Sequence, residues 1–254
     1  MGKIIAFANH KGGVGNTTSA VNIAADLGHL GYSTLLIDCD PQGNASSAVG
    51  AVNDTADTFD ILINSEPAEK AVQKTKFKNL SVIPSDMNLA AADLELSDRD
   101  KRETVLKEAL APIRDNFDFI ILDCPPSLSL LTINALAASD SVVVPMQCEY
   151  FALEGLSQLI FTLKQVKRLY NPKIELLGII LTMFDGRLNL SLQVMEELKQ
   201  YFPDKIFTHS IPRAVRLSEA PSHSKPILYY DKYSKGSLTY LEVTKELVAR
   251  CEGK

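Results

Sequence analysis

An apolar run, a glycine-rich turn and the start of a helix follow one another at the beginning of this chain, and few folds accept that order. Ile4-Ile5-Ala6-Phe7-Ala8 fits a short buried strand, and Lys11-Gly12-Gly13-Val14-Gly15-Asn16-Thr17-Thr18 follows it directly. Gly12, Gly13 and Gly15 permit a tight turn whose backbone N–H groups converge on an anion. Thr17 and Thr18 then open a helix whose positive end faces the same anion. Against the phosphate-loop pattern GxxxxGK[ST] the match departs twice: His10 holds the first glycine position and Asn16 holds the lysine position.

The rest of the chain predicts what carries that loop. Buried-strand runs recur at 3–8, 33–38, 80–84, 118–123, 141–146, 174–182 and 206–211. Helical spacing falls between them at 17–30, 101–115, 129–138, 152–170 and 190–201, and the acidic, polar stretch 44–100 reads as short helices around an edge strand. Strand–helix alternation predicts an α/β fold, a doubly wound, mostly parallel sheet covered on both faces, and one domain over 1–254. No apolar stretch approaches the roughly 20 residues of a membrane span. The N-terminus runs straight into the first strand, with neither a signal-peptide nor a myristoylation pattern. Cys39, Cys124, Cys148 and Cys251 form no CxxC pair and read as reduced core thiols.

Two carboxylate motifs stand at strand ends, where open α/β sheets bind ligands. Leu35-Leu36-Ile37-Asp38-Cys39-Asp40-Pro41-Gln42-Gly43-Asn44 is one, and Phe119-Ile120-Ile121-Leu122-Asp123-Cys124-Pro125-Pro126 is the other. The second reads like the aspartate that supports Mg²⁺ in P-loop NTPases. Phosphate chemistry needs an anion cradle together with carboxylates that hold a metal and position a water. Any one aspartate alone would read as a helix cap.

Lys11, one residue after His10, makes the loop resemble the deviant P-loop KGGxGK[ST] with Asn16 in place of its second lysine. KGGVG-x-TT, DxDPQGN and ILDCPPS together resemble the ParA/Soj family of partition ATPases. Ser141–Tyr150, Ala152-Leu153-Glu154-Gly155-Leu156, Ile211-Pro212-Arg213 and Arg216–Pro221 agree with it, so the resemblance covers nearly the whole chain. It is closest to the short, Soj-like type, which lacks an N-terminal DNA-binding domain. The resemblance implies ATP or ADP with Mg²⁺ in a nucleotide-dependent homodimer of a cytoplasmic, nucleoid-associated bacterial protein. Lys11 matches the signature lysine that reaches the partner's nucleotide. Gly12, Gly13, Val14, Gly15 and Asn16 match the cradle, Thr17 the Mg²⁺ ligand and Thr18 the α-phosphate support. Asp40 matches the aspartate that positions the attacking water, with Asp38 and Asp123 in supporting roles around the metal. Glu149 matches a residue near nucleotide and dimer interface, and Pro212 and Arg213 fall near the adenine.

DNA binding needs its own argument in a chain of net charge −5. From Lys205 to Lys235 six Lys/Arg oppose Glu219 and Asp231, a local +4 that attracts phosphates without reading sequence. In the resembled family the DNA-contact arginines correspond to Arg187 and Arg216, the ATP dimer joins two weak patches, and a ParB-type activator stimulates hydrolysis. Asn16 is shorter than lysine and neutral, so weaker ATP binding and slow or absent hydrolysis are expected. Three alternatives use the same loop: a MinD-like membrane ATPase, a non-hydrolysing DNA-binding regulator, and an iron–sulfur reductase. The balanced charges of the C-terminal segment (Glu242, Glu246 and Glu252 against Lys245, Arg250 and Lys254) read as a helix docked on the domain rather than a lipid anchor. The missing cysteine pair argues against the reductase.

Overall fold

The computed structural model describes residues 2–52 and 54–253. Its seven strands form one sheet in the order β3-β4-β2-β5-β1-β6-β7. They are β1 (Lys3–Phe7), β2 (Thr34–Asp38), β3 (Gln73–Lys74), β4 (Leu80–Ile83), β5 (Phe119–Asp123), β6 (Ser141–Gln147) and β7 (Glu175–Thr182). All pairings are parallel except β3 with β4. The α-helices are α1 (Asn16–Leu30), α2 (Asn44–Val49), α3 (Thr58–Ile63), α4 (Ala68–Ala71), α5 (Ala92–Glu95), α6 (Val105–Leu110), α7 (Leu130–Ala138), α8 (Ala152–Leu169), α9 (Asn189–Tyr201), α10 (Val215–Glu219), α11 (Ile227–Tyr230) and α12 (Lys235–Cys251).

Side-chain alternation explains why both sheet faces are covered. On β2, Leu35 and Ile37 join one core cluster with Ile120, Leu122, Leu131 and Leu159, while Leu36 joins the other with Ile121, Ile23 and Leu27. Every residue of β2 and β5 is buried, as a central parallel strand requires. The first cluster lies under α7 and α8, the second under α1 and α12. Tyr240, Val243 and Leu247 of α12 are buried against it, so the chain's last helix is docked as its charge pattern predicts.

Two segments differ from the sequence reading. Residues 206–211 form no full strand. Phe207 N–H donates to Ile179 and Ile211 N–H to Leu181, but between them Thr208 N–H is captured by the Glu246 carboxylate of α12 at 2.9 Å. Thr208 N–H points away from β7, and the next bond to β7 comes from Ile211 rather than from His209, so the ladder is interrupted by two extra residues. The helix expected over 101–115 spans only Val105–Leu110, followed by a 3-10 turn at Arg114–Asn116: Lys101, at φ of 56°, stands outside it, and Pro112 brings no N–H to extend it.

Arg114 ties the start of the chain to the bottom of the sheet. Its Nη2 donates to both Asp140 oxygens at 2.8 and 2.6 Å, and its Nε donates to Gly2 O at 2.9 Å. Asp140 also accepts from Ile4 N at 2.9 Å. The pair is largely shielded from water, and removing one partner strands the other. Arg114→Ala is therefore expected to cost about 2 kcal/mol, below the full value for a buried pair because some solvent reaches it. A urea midpoint unchanged from the parent would refute this anchoring role.

Candidate nucleotide site

The strand order brings the sequence motifs together. β1 lies between β5 and β6, and its last residue Phe7 is in register with Asp123, itself in register with Asp38 of β2. The glycine loop leaving β1 therefore sits above two carboxylate-bearing strand ends. Gly13 and Gly15 adopt φ of 73° and 89°, which L side chains rarely accept, and Gly15 is the N-cap of α1. The first backbone N–H groups of a 15-residue helix thus open into the loop.

Two cavities meet here. One, of about 310 Å³, is lined by Lys11 to Thr18 with Asp40, Gln42, Asn44, Cys124, Pro126 and Met183. The other, of about 610 Å³, is lined by Thr182, Ile211, Pro212, Arg213, Val215, Leu217, Pro221 and Tyr240 among others. Gly15, Thr18 and Met183 line both, forming the passage from a polar, loop-walled chamber to a largely apolar one. The first suits phosphates and the second a flat base.

The carboxylates have distinct surroundings. Asp38 is fully buried, and its oxygens accept from Ser46 N at 2.8 Å, Ser46 Oγ at 2.7 Å and Asp40 N at 3.1 Å. Burial pushes its pKa up to about 6, and the Ser46 and Asp40 donors pull against that rise. Asp38 therefore braces the turn that presents Asp40. Asp40 lines the smaller cavity, where its Oδ1 accepts from Gln42 N at 3.0 Å and its carbonyl accepts from Ser85 Oγ at 2.5 Å. Neither Asp123 oxygen has a hydrogen-bond partner. Burial holds Asp123 well above the usual carboxylate range and the nearby Asp38 raises it further; the Thr17 hydroxyl is near enough to pull it down, but short of hydrogen-bond geometry.

Asn16 is buried at the first position of α1, and neither its Nδ2 nor its Oδ1 has a partner. Lys11, expected to reach another subunit, is ion-paired within its own chain to Glu149. Pro212 and Arg213 line the larger cavity. Arg187 and Arg216 line neither cavity. Arg187 holds Asp185 at 2.9 and 2.7 Å; Arg216 Nη1 contacts Glu219 at 3.0 Å and its Nε lies 3.5 Å from Asp231. Their free charge is smaller than the count along the chain suggests.

Sequence reading missed Gln147 and Met183. Gln147 Nε2 donates to Gly13 O and contacts Met183 Sδ, both at 3.0 Å, and Met183 carries φ of 48°, an unusual value for a residue with a side chain. Gln147 stands in the segment that carries the family resemblance, but only the fold shows its reach across to the loop. Among the described residues no group of three or more His, Cys, Asp or Glu is arranged to hold a metal. All four cysteines are free, and Cys39, Cys124 and Cys148 are buried with thiols pushed up by burial.

Comparison with known proteins agrees with this geometry. A family model described as "AAA domain" matches residues 2–176. The sporulation initiation inhibitor protein Soj of Bacillus subtilis is 52% identical over 98% of this chain and 99% of its own length. The chromosome partitioning protein ParA of Myxococcus xanthus is 49% identical over 98% of this chain and 89% of its length. A crystal structure of cobyrinic acid a,c-diamide synthase from Mycobacterium smegmatis with bound ADP and magnesium superposes with a TM-score of 0.87 at 33% identity, covering 100% of this chain and 97% of that one. With half its residues shared over nearly full length, the chain belongs to the Soj/ParA family of chromosome-partitioning ATPases.

Proposed function

We propose that this chain is an ATP-dependent partition switch whose nucleotide-bound dimer holds DNA without reading its sequence and releases it on hydrolysis. One observation carries the reading: a phosphate-sized chamber under a helix N-terminus opens through Gly15, Thr18 and Met183 into an apolar chamber walled by Pro212 and Arg213. The loop N–H groups of Lys11–Thr18 and the α1 terminus bind phosphates, and the larger chamber takes adenine. Thr17, Asp40 and the orphaned Asp123 fit a magnesium ion, which needs few protein oxygens because it keeps waters and phosphates as ligands. Bound there, magnesium would neutralise charge on the β- and γ-phosphates. Asp40 orients the attacking water, and Asp38 holds Asp40 in place through its backbone N–H. Asn16 offers a hydrogen bond where the family pattern supplies a full charge, so ATP binds weakly and turnover is slow.

Arg187 and Arg216 supply the DNA surface, doubled when two chains pair, and a ParB-type protein is the activator. Their neighbouring acids, Asp185, Glu219 and Asp231, leave each patch weak alone. Pairing is then what gives useful affinity. The Arg187→Glu, Arg216→Glu double variant is expected to lose ATP-dependent DNA retention in gel shifts; unchanged retention would refute the DNA surface. A membrane-attached reading is less favoured because α12 spends its apolar face on α1. No described helix is long and apolar enough to cross a bilayer.

A further inference from the structure

Two distant parts of the chain wall the larger cavity. Gly15, Thr18 and Thr182 come from α1 and the end of β7, whereas Pro212, Leu217 and Tyr240 come from the C-terminal part. The fit of this chamber therefore depends on how α12 and its neighbours are held against α1. Tyr240, Val243 and Leu247 share a core cluster with Ile23 and Leu27 of α1, but apolar packing is non-directional and sets no register by itself. Hydrogen bonds do.

Ser19, Asn22 and Asp26, spaced three and four apart, share one face of α1, and all are buried. Ser19 Oγ lies 3.1 Å from the Tyr240 hydroxyl. Asn22 Nδ2 donates to Thr18 O and its Oδ1 accepts from Ile227 N, both at 2.7 Å. Thr244 reaches Asp26 at a longer 3.4 Å, and neither of those two residues lines a chamber. Of these contacts, the Ser19–Tyr240 bond alone joins α1 to a side chain in the chamber wall, one residue beyond Thr18, which lines both cavities. Tyr240 is 1% exposed and Ser19 not at all, so no water replaces either hydroxyl once the other is gone.

We propose that Tyr240 is a positioning residue for nucleotide binding: its bond to Ser19 fixes α12 on α1 and so sets the fit of the base chamber. This rests on the nucleotide reading above and adds the contact that tunes the base-binding half of the site. The phosphate half is spared, because Tyr240 lines the larger cavity and is absent from the wall of the smaller one. Tyr240→Phe keeps the ring in the core and removes only the oxygen, so α12 stays docked while its register relaxes.

Displacement of fluorescent ATP, with Mg²⁺, by unlabelled ATP and by inorganic tripolyphosphate tests the proposal. It is run on the parent chain and on Asn16→Lys, each with Tyr240→Phe, with Ser19→Ala and with both. Tyr240→Phe is expected to weaken ATP about fivefold, as loss of one buried hydrogen bond allows, and to leave tripolyphosphate unchanged. Ser19→Ala should do the same, and the pair should lose no more than either alone, because all three lack one bond. Losses that add, unchanged ATP affinity, or tripolyphosphate weakened as much as ATP would each overturn the proposal. Tripolyphosphate that never displaces the probe while ATP does would remove the separate phosphate chamber and overturn it too. If no chain binds the probe, Asn16→Lys included, the nucleotide reading itself fails, and that outcome is separable from the others.

Discussion

Replacing Asn16 with lysine is expected to tighten Mg-ATP binding by about 100-fold and to raise hydrolysis from near background to a readily measured rate. Asn16 occupies the first position of α1, in the wall of the phosphate chamber, with both polar side-chain atoms buried and unpartnered. A unit charge about 4 Å from a phosphate oxygen gains roughly 4 kcal/mol at an effective dielectric near 20. Desolvation of the lysine takes part of that back, and about 2.7 kcal/mol corresponds to the 100-fold expected. The orphaned amide recovers some of the difference in the parent chain, since a phosphate oxygen satisfies its Nδ2. Calorimetric titration of both chains with Mg-ATP checks the size, and equal affinities would show that Asn16 is no handicap.

The second large effect concerns stability. Asp26 on α1 is fully buried against α12, with Thr244 Oγ1 at 3.4 Å from its Oδ2 and no partner for Oδ1. Burial pushes its pKa from the ordinary 3.8 to about 8, with Thr244 pulling slightly the other way. Between those two values the folded chain keeps a proton that the unfolded chain has released. Stability therefore falls as pH rises from about 4 towards 8 and levels off above that. Asp26→Asn carries no such penalty and is expected to be more stable by about 2–4 kcal/mol near pH 7. The gain should be smaller near pH 5 and larger near pH 8, as judged against the parent by urea midpoints. Asp38 and Asp123 are raised by burial too, so the variant keeps part of the slope. A gain independent of pH would contradict a buried, protonated Asp26.

How far the sequence reads into this structure depends on where the physics is local. Leu35-Leu36-Ile37-Asp38 and Ile120-Ile121-Leu122-Asp123 declare themselves because central parallel strands are apolar on both faces and end here at an aspartate. The loop declares itself because only glycine accepts the conformations at 13 and 15. Ile206–Ile211 opens with the same apolar signal, but its bonds to β7 skip from Phe207 to Ile211. No local pattern foretells that. Gln147, Met183 and the Lys11–Glu149 pair were illegible for the same reason, since each joins residues 36 to 138 positions apart. The Arg216 charge was visible along the chain, and its neutralisation by Asp231 only in space.

If nucleotide controls DNA affinity and Asn16 weakens that control, fluorescence anisotropy of a labelled, random-sequence duplex will show it for this chain and for Asn16→Lys, each with and without Mg-ATP. The expected result is nucleotide-dependent binding that is feeble for Asn16 and strong for Asn16→Lys, steepening in its salt dependence as the dimer forms. DNA binding that is equal in both chains, or indifferent to Mg-ATP in Asn16→Lys, would contradict the account.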